Sequence, residues 1–330
     1  MTMRDRITLP GTELSVSRIC LGGNRFGATL DQDESFALLD AFVEAGGNFI
    51  DTAHIYANWV ASAERSSSEK TIGRWLKARR PRDVVIATKG AHPGSAPGAT
   101  PRLDAATILR ELDESLTYLG LSRIDLHYVH RDEPERPVEE ILATLETARR
   151  DGRIRHYAAS NWSAARLEEA ARVAVRRGWP GFVAHQPEWS LAQRNGEPGA
   201  HFMMDAALIA YHARTGLPVI PYSAQAKGYF DKARGGASPD RADDPAAKAY
   251  DNPVNRGRAA ELATIAARHG ATPTQVMLAA MIRAPFPTIP IAGCRTPDQA
   301  RASLASLDVA LGEHEAARLL GWVGLTPTRG

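Results

Sequence analysis

Cysteine is nearly absent. Cys20 and Cys294 are the only two in 330 residues, and they lie far apart in the chain. That spacing excludes a disulfide framework and any CxxC site, and it fits a reducing compartment. An excess of one charge is missing too. Lys and Arg number 40 against 38 Asp and Glu, a net of +2 spread along the chain, so nucleic acid is not an expected partner. No apolar run approaches the ~18 residues that span a bilayer, which argues against a membrane partner. The polar opening Met1 to Pro10 has no signal-peptide core, so a cytoplasmic location is expected. Neither GxGxxG nor a Walker A sequence occurs, and a bound nucleotide would need another route. With 44% hydrophobic and 24% charged residues, the chain has the proportions of an ordinary globular protein.

What the sequence does contain is alternation. Short apolar runs at Arg18–Leu21, Asn48–Asp51, Val84–Thr88, Asp125–Val129, Ile154–Ser160, Phe182–Gln186, Pro218–Tyr222 and Thr288–Ile291 read as strands. Between them stand segments with helical spacing at Glu34–Ala45, Glu69–Arg79, Ala105–Leu119, Val138–Arg150, Ala164–Arg177, Asp205–Thr215, Arg258–His269 and Thr296–Leu304. Extra helices are read at Thr274–Ala284 and Glu313–Trp322. Eight strand–helix pairs in a chain of this length predict an α/β fold, a closed (β/α)8 TIM barrel, as one domain over residues 1–330. The opening Ile7–Ser17, two short strands around Pro10-Gly11, predicts a β-hairpin closing the bottom. Long loops at His54–Ser67, Gly90–Leu103 and Ala226–Gly257 each follow a strand, which puts them on the face where a barrel carries its chemistry.

Several partial motifs lead nowhere. His130-Arg131-Asp132 starts like a kinase catalytic loop, but Glu133-Pro134 follows and no DFG exists. Ser67-Ser68-Glu69-Lys70 fits SxxK without its partner motifs and reads as a helix N-cap with an acidic first turn. Asn161-Trp162-Ser163 is a formal glycosylation sequon with no secretory context. His127 and His130 are three apart on a strand and face opposite ways, which disfavours joint metal ligation. No metal is expected. The basic clusters Lys77–Arg80 and Arg149–Arg155 complement helix C-termini.

One constellation survives. Asp51 ends the second strand, Tyr56 follows it, Lys89 ends the third strand and His130 the fourth, so barrel geometry aims all four into one mouth. Each alone has a bland explanation, surface Lys or packed Tyr. Together they suit carbonyl reduction, which needs a hydride at carbon and a proton at oxygen. Tyr is a poor acid with a pKa of about 10. Lys89 is expected to lower it, Asp51 to hold Lys89, and His130 to place the substrate oxygen.

The segments that carry these residues resemble a known family. Gly46-Gly47-Asn48-Phe49-Ile50-Asp51-Thr52-Ala53-His54-Ile55-Tyr56 resembles the aldo-keto reductase signature, Leu119 to His130 a second signature, and Thr88-Lys89-Gly90 the lysine strand. The resemblance implies that Asp51, Tyr56, Lys89 and His130 form the catalytic tetrad. It further implies that Ser160, Asn161 and Gln186 bind the nicotinamide carboxamide, that Tyr222 with Ser223 packs on the ring, and that Gly293, Arg295, Gln299 and Ser303 grip the adenosine end. Arg295 suits a 2′-phosphate through paired hydrogen bonds, which favours NADP(H) and leaves NAD(H) as the other option. Three departures stand out: Ala57-Asn58-Trp59 follows the tyrosine and Glu69 arrives only after an insertion, Ala302-Ser303 replaces the usual acidic end, and Trp189 replaces a tyrosine. Trp59, His92, Arg131, Asp132 and Trp189 are placed near the mouth by position and predict a pocket for an aromatic aldehyde or a sugar-like carbonyl. The expected partner is that small molecule. Oligomeric state has no signature here. Two other readings remain: a reductase-like regulatory subunit of the kind associated with ion channels, and a barrel enzyme doing non-redox chemistry.

Overall fold

A computed structural model describes residues 6–93, 100–196, 203–233 and 243–325. The chain opens with the antiparallel hairpin β1 (Arg6–Thr8) and β2 (Ser15–Ser17), then alternates: β3 (Cys20–Gly22), α1 (Gln32–Glu44), β4 (Phe49–Asp51), α2 (Ser67–Arg79), β5 (Val85–Gly90), α3 (Ala105–Leu119), β6 (Ile124–Val129), α4 (Val138–Arg150), β7 (Ile154–Ser160), α5 (Ala164–Arg177), β8 (His185–Gln186) and α6 (Ala206–Thr215). There follow α7 (Tyr229–Lys232), α8 (Pro245–Tyr250), α9 (Pro253–Arg268), α10 (Pro273–Met281), β9 (Ile291–Ala292), α11 (Pro297–Leu304) and α12 (Glu313–Gly321). The second sheet is seven-stranded and parallel, in the order β8-β7-β6-β5-β4-β3-β9. Among the described residues no helix is long and apolar enough to cross a membrane.

The ring closes through a segment that is not a regular strand. Val219 bridges His185 on one side and Thr288 on the other, and β9 pairs with β3. The sequence reads Pro218–Tyr222 as a full strand, and that expectation is corrected here. Pro218, Pro221, Pro287 and Pro290 remove donors there, and the segment is held by Ile220 N to His185 O at 2.8 Å on one side and by Val219 N to Pro287 O at 2.8 Å and Ile289 N to Val219 O at 2.9 Å on the other. The result is nonetheless a (β/α)8 barrel.

The hairpin fills the bottom. Leu9, Leu14 and Val16 pack with Phe49, Leu126, Ile220 and Ile289 in the barrel interior, all buried, each side chain contributing roughly 1.5–3 kcal/mol by leaving water. Asn48 ties the hairpin to β4: its Oδ1 accepts from Ser17 N at 2.6 Å, and its Nδ2 donates to Ser15 O and Asp83 O, both at 2.9 Å.

Two other readings change. The stretch Ala226–Gly257, read as one loop, contains α7, α8 and the start of α9, with residues 234–242 outside the described set, as are residues 94–99 of the second long loop. Helices form there because Asp244 and Asn252 cap α8 and α9 and Pro stands at the first position of each. The serines of α2 are not caps. Ser67 Oγ donates to Gly27 O at 2.5 Å and Ser68 Oγ to Gly23 O at 2.7 Å, which pins the helix to the loop after β3. Gly27 lies in the left-handed region at φ +65°, where a Cβ would come within 2.2 Å of Ser67 Oγ, so glycine is required for that close approach.

Candidate functional site

Lys89 is the centre. It stands near the C-terminal end of β5, is 1% exposed, and reaches three oxygens: Asp51 Oδ2 at 2.5 Å, Thr52 O at 2.8 Å and Tyr56 Oη at 3.0 Å. Three acceptors match the three protons of an ammonium, whereas a neutral amine has only two to give. The other carboxylate oxygen of Asp51 accepts from Gln186 Nε2 at 2.9 Å, so one buried acid anchors both a lysine and a glutamine. The two partners' pKa shifts point in different senses. Burial pushes the Asp51 carboxyl up while Lys89 and Gln186 pull it back. Burial would lower Lys89, but Asp51 and Tyr56 hold it above its usual value. The raised pKa of Lys89 and its contact with the Asp51 carboxylate at 2.5 Å favour the charged pair.

Burial also raises the Tyr56 phenol above its ordinary value, and the Lys89 charge offsets this only in part. The expected direction of the lysine effect holds; the expected net lowering does not. Tyr56 therefore holds its proton at neutral pH. His130 borders Tyr56, with ring centroids 5.9 Å apart at 75°, and His92 meets His130 at 4.5 Å. Burial, followed by the charge of Lys89, keeps His130 well below the usual imidazole range, so it is neutral. His127, by contrast, is buried against Gly90 away from this group, and burial pushes it down to about 4. Among the described residues no cluster of three or more His, Cys, Asp or Glu could hold a metal ion.

The next groups join the same mouth. Asn161 Nδ2 donates to His130 O at 3.0 Å and to Ser160 Oγ at 3.1 Å, Tyr222 Oη donates to Asn161 Oδ1 at 2.9 Å, and Ser160 Oγ donates to Gln186 O at 3.0 Å. Ser223 adjoins Tyr222 at φ +57°. A second group gathers at the start of α11: Arg295 N donates to Gln299 Oε1 at 2.8 Å and Ser303 Oγ to Gln299 O at 2.8 Å.

Sequence reasoning missed two residues here. Gln225 donates to Ser303 Oγ at 3.1 Å and accepts from Gly293 N at 2.8 Å, joining the loop after Tyr222 to the α11 group. Arg25, in the loop after β3, is half-buried, and burial and then the charge of Arg295 hold its pKa down. No motif marks either one, because their partners are distant in sequence.

The insertion after Tyr56 is an ordered excursion. Ser66 N donates to Asn58 Oδ1 at 2.7 Å and Ser66 Oγ to His54 O at 2.7 Å, closing it so that Glu69 lands behind the lysine strand. There Glu69 accepts from Thr88 Oγ1 at 2.5 Å, fully buried, and burial raises its carboxyl to about 7. Trp59 lies edge-on to Tyr56 at 5.9 Å and is 59% exposed. Two expected pocket residues turn elsewhere. Trp189 is buried and packs on Phe286, and Asp132 makes a two-pronged pair with Arg166 at 2.9 and 3.0 Å. A groove between α2 and α3, lined by Lys70, Arg74 and Tyr118, touches none of Asp51, Tyr56, Lys89 and His130.

A parallel barrel that brings Tyr, Lys, Asp and His together beside a ready-made amide site has the make-up of an oxidoreductase that works with a nicotinamide cofactor. A model of the Aldo/keto reductase family matches residues 18–321, and the chain belongs to that family. Similar proteins include the uncharacterized oxidoreductase YrpG of Bacillus subtilis (strain 168), 30% identical over 94% of this chain and 92% of that one. The aryl-alcohol dehydrogenase [NADP(+)] of Phanerodontia chrysosporium is 29% identical over 94% and 84%. Protein tas of Escherichia coli (strain K12) is 28% identical over 94% and 95%.

Proposed function

We propose that the protein reduces an aldehyde or ketone to the alcohol with NADPH, and that Tyr56 supplies the proton. The observation that carries this reading is the Lys89 ammonium, bonded at once to Asp51 and to the Tyr56 hydroxyl. The residues present fit the cofactor. Asn161 and Gln186 offer amides beside the mouth, and Tyr222 offers a half-buried ring whose hydroxyl Asn161 holds. At the far end burial, and then the nearby charge of Arg295, disfavour the charge of Arg25, and among the described residues neither arginine makes an ion pair. Two unpaired guanidiniums suit a phosphate, which supports NADP(H) over NAD(H). The name of the Phanerodontia relative points the same way and favours an aryl carbonyl over a sugar-like one.

When bound, the nicotinamide would supply the hydride for the carbonyl carbon. The chain's own residues do the rest. Neutral His130 donates a hydrogen bond that aims the carbonyl oxygen at Tyr56. Tyr56 passes its proton to the alkoxide, a far stronger base than a phenolate, and Lys89 stabilises the tyrosinate left behind. Asp51 keeps Lys89 in register, and solvent restores the phenol proton. Trp59, His92 and Arg131 border the substrate. The experiment is NADPH consumption with aryl aldehydes, sugars and small ketones. Tyr56→Phe is expected to lower kcat by about 10²–10⁴-fold while NADPH still binds. Full activity in that variant, or absence of cofactor binding in the wild type, overturns the reading.

A further inference from the structure

Among the ionic groups around the mouth, most cations already have an acid. Lys89 has Asp51, Arg166 has Asp132, Arg194 has Glu188 and Arg102 has Glu111. Arg131, at the reacting end, has none among the described residues, as Arg25 and Arg295 have none at the other. It follows His130 at the end of β6, is half-buried, and makes no hydrogen bond or ion pair with any described residue; its Nε is buried with no partner. The neighbouring Asp132, which could have neutralised it, is turned away to Arg166. Its charge is felt at the His130 imidazole and at the Tyr222 phenol, so it belongs to the reacting end of the cleft and not to the end where Arg25 and Arg295 meet.

A half-buried guanidinium with no counter-ion offers its remaining donors to a ligand that brings the missing charge. The groups beside it leave that charge uncompensated: Tyr56 and His130 are neutral, and Asp51 is spent on Lys89. Arg is also the side chain whose planar fork matches a carboxylate with two parallel hydrogen bonds.

We infer that Arg131 is a specificity-determining residue that holds a carboxylate on the substrate, so that the preferred substrates are formyl or oxo carboxylic acids and not neutral carbonyl compounds. The inference rests on the reductase reading above and adds the substrate class. The anchor would fix the carbonyl relative to Tyr56 and His130 at two points, one at the reacting oxygen and one at the acid.

The test compares 2-, 3- and 4-carboxybenzaldehyde, each with its methyl ester, in NADPH-dependent reduction by the full chain. At least one acid is expected to exceed its ester by about tenfold or more in kcat/KM, mostly through KM. Arg131→Gln is expected to erase that preference, and Arg131→Lys, which keeps the charge but not the fork, to retain part of it. Esters reduced as well as all three acids by the wild type would overturn the inference and leave the reductase reading standing. So would an acid-to-ester ratio that survives within twofold in Arg131→Gln. No reduction of either series, together with no reduction of any other carbonyl, would overturn both.

Discussion

At the scale of the residue, the decisive balance is at Tyr56, where burial and a neighbouring ammonium push its acidity in opposite directions. Burial is the larger, so the phenol stays protonated through the neutral range, and in the proposed reaction a forming alkoxide draws the proton off. The pH profile follows with a definite sign. The proposed reduction needs Tyr56 protonated and His130 neutral, so kcat is expected to be level between about pH 7 and 9 and to fall as pH rises past 10. Alcohol oxidation, which needs the tyrosinate, rises over the same span. Initial rates in both directions would check this, with Glu69→Gln run alongside because that carboxyl lies near 7. A descending limb below pH 8 that persists in the variant would assign the proton to a different acid.

At the scale of the element, β8 and α6 are joined by a buried histidine pair that supports the wall behind Gln186. His185 Nδ1 and His212 Nε2 are 3.0 Å apart, His212 Nδ1 lies 2.8 Å from Leu217 O, and Trp162 N donates to His185 Nε2 at 3.4 Å. The ends of this chain fix its direction: His212 Nδ1 donates to the carbonyl, so its Nε2 accepts from His185, whose own Nε2 accepts from Trp162. Both rings are therefore neutral, and burial keeps His185 well below its usual value and His212 at about 4. The unfolded chain takes up protons near pH 6.5 while the folded one resists until far lower, so stability is full above 6.5 and is lost as pH falls toward 4. His212 alone is worth on the order of 3 kcal/mol across that span. Thermal melts between pH 7 and 4.5 should show Tm dropping by several degrees; a constant Tm would mean the pair carries a proton already. None of this was legible in the sequence, where the two histidines look unrelated. What was legible is whatever a local pattern encodes: apolar runs give β3 to β8, helical spacing gives α1 to α6, and strand ends give Asp51, Lys89 and His130. Residues whose meaning comes from distant partners stayed hidden. Gln225 and Arg25 have no local signature, the prolines of the seventh strand read as apolar neighbours of Val219 and Ile220, and Ser67 and Ser68 imitate a cap while serving a loop forty residues away in sequence.

At the scale of the whole molecule, the cleft has cations at both ends and neutral groups between: Arg25 and Arg295 beside α11, Arg131 beside His130. A chain with a net charge of only +2 thus gathers cations at the two places proposed here for a phosphate and a carboxylate. Arg295→Ala is expected to raise KM for NADPH by about tenfold or more while changing KM for NADH little, since only the former has the extra phosphate. Steady-state measurement with both cofactors decides it; an equal loss for both would place the phosphate elsewhere. The closure of the barrel sets a different kind of limit. β3 is made long before β9, one of its two neighbours in the sheet. Until Ile291 has left the ribosome, Cys20 to Gly22 presents an open strand edge, guarded below by the hairpin but bare along its side. A messenger truncated just ahead of that codon would encode Asp51, Tyr56, Lys89 and His130 in full and still yield a sheet prone to pair with its own kind.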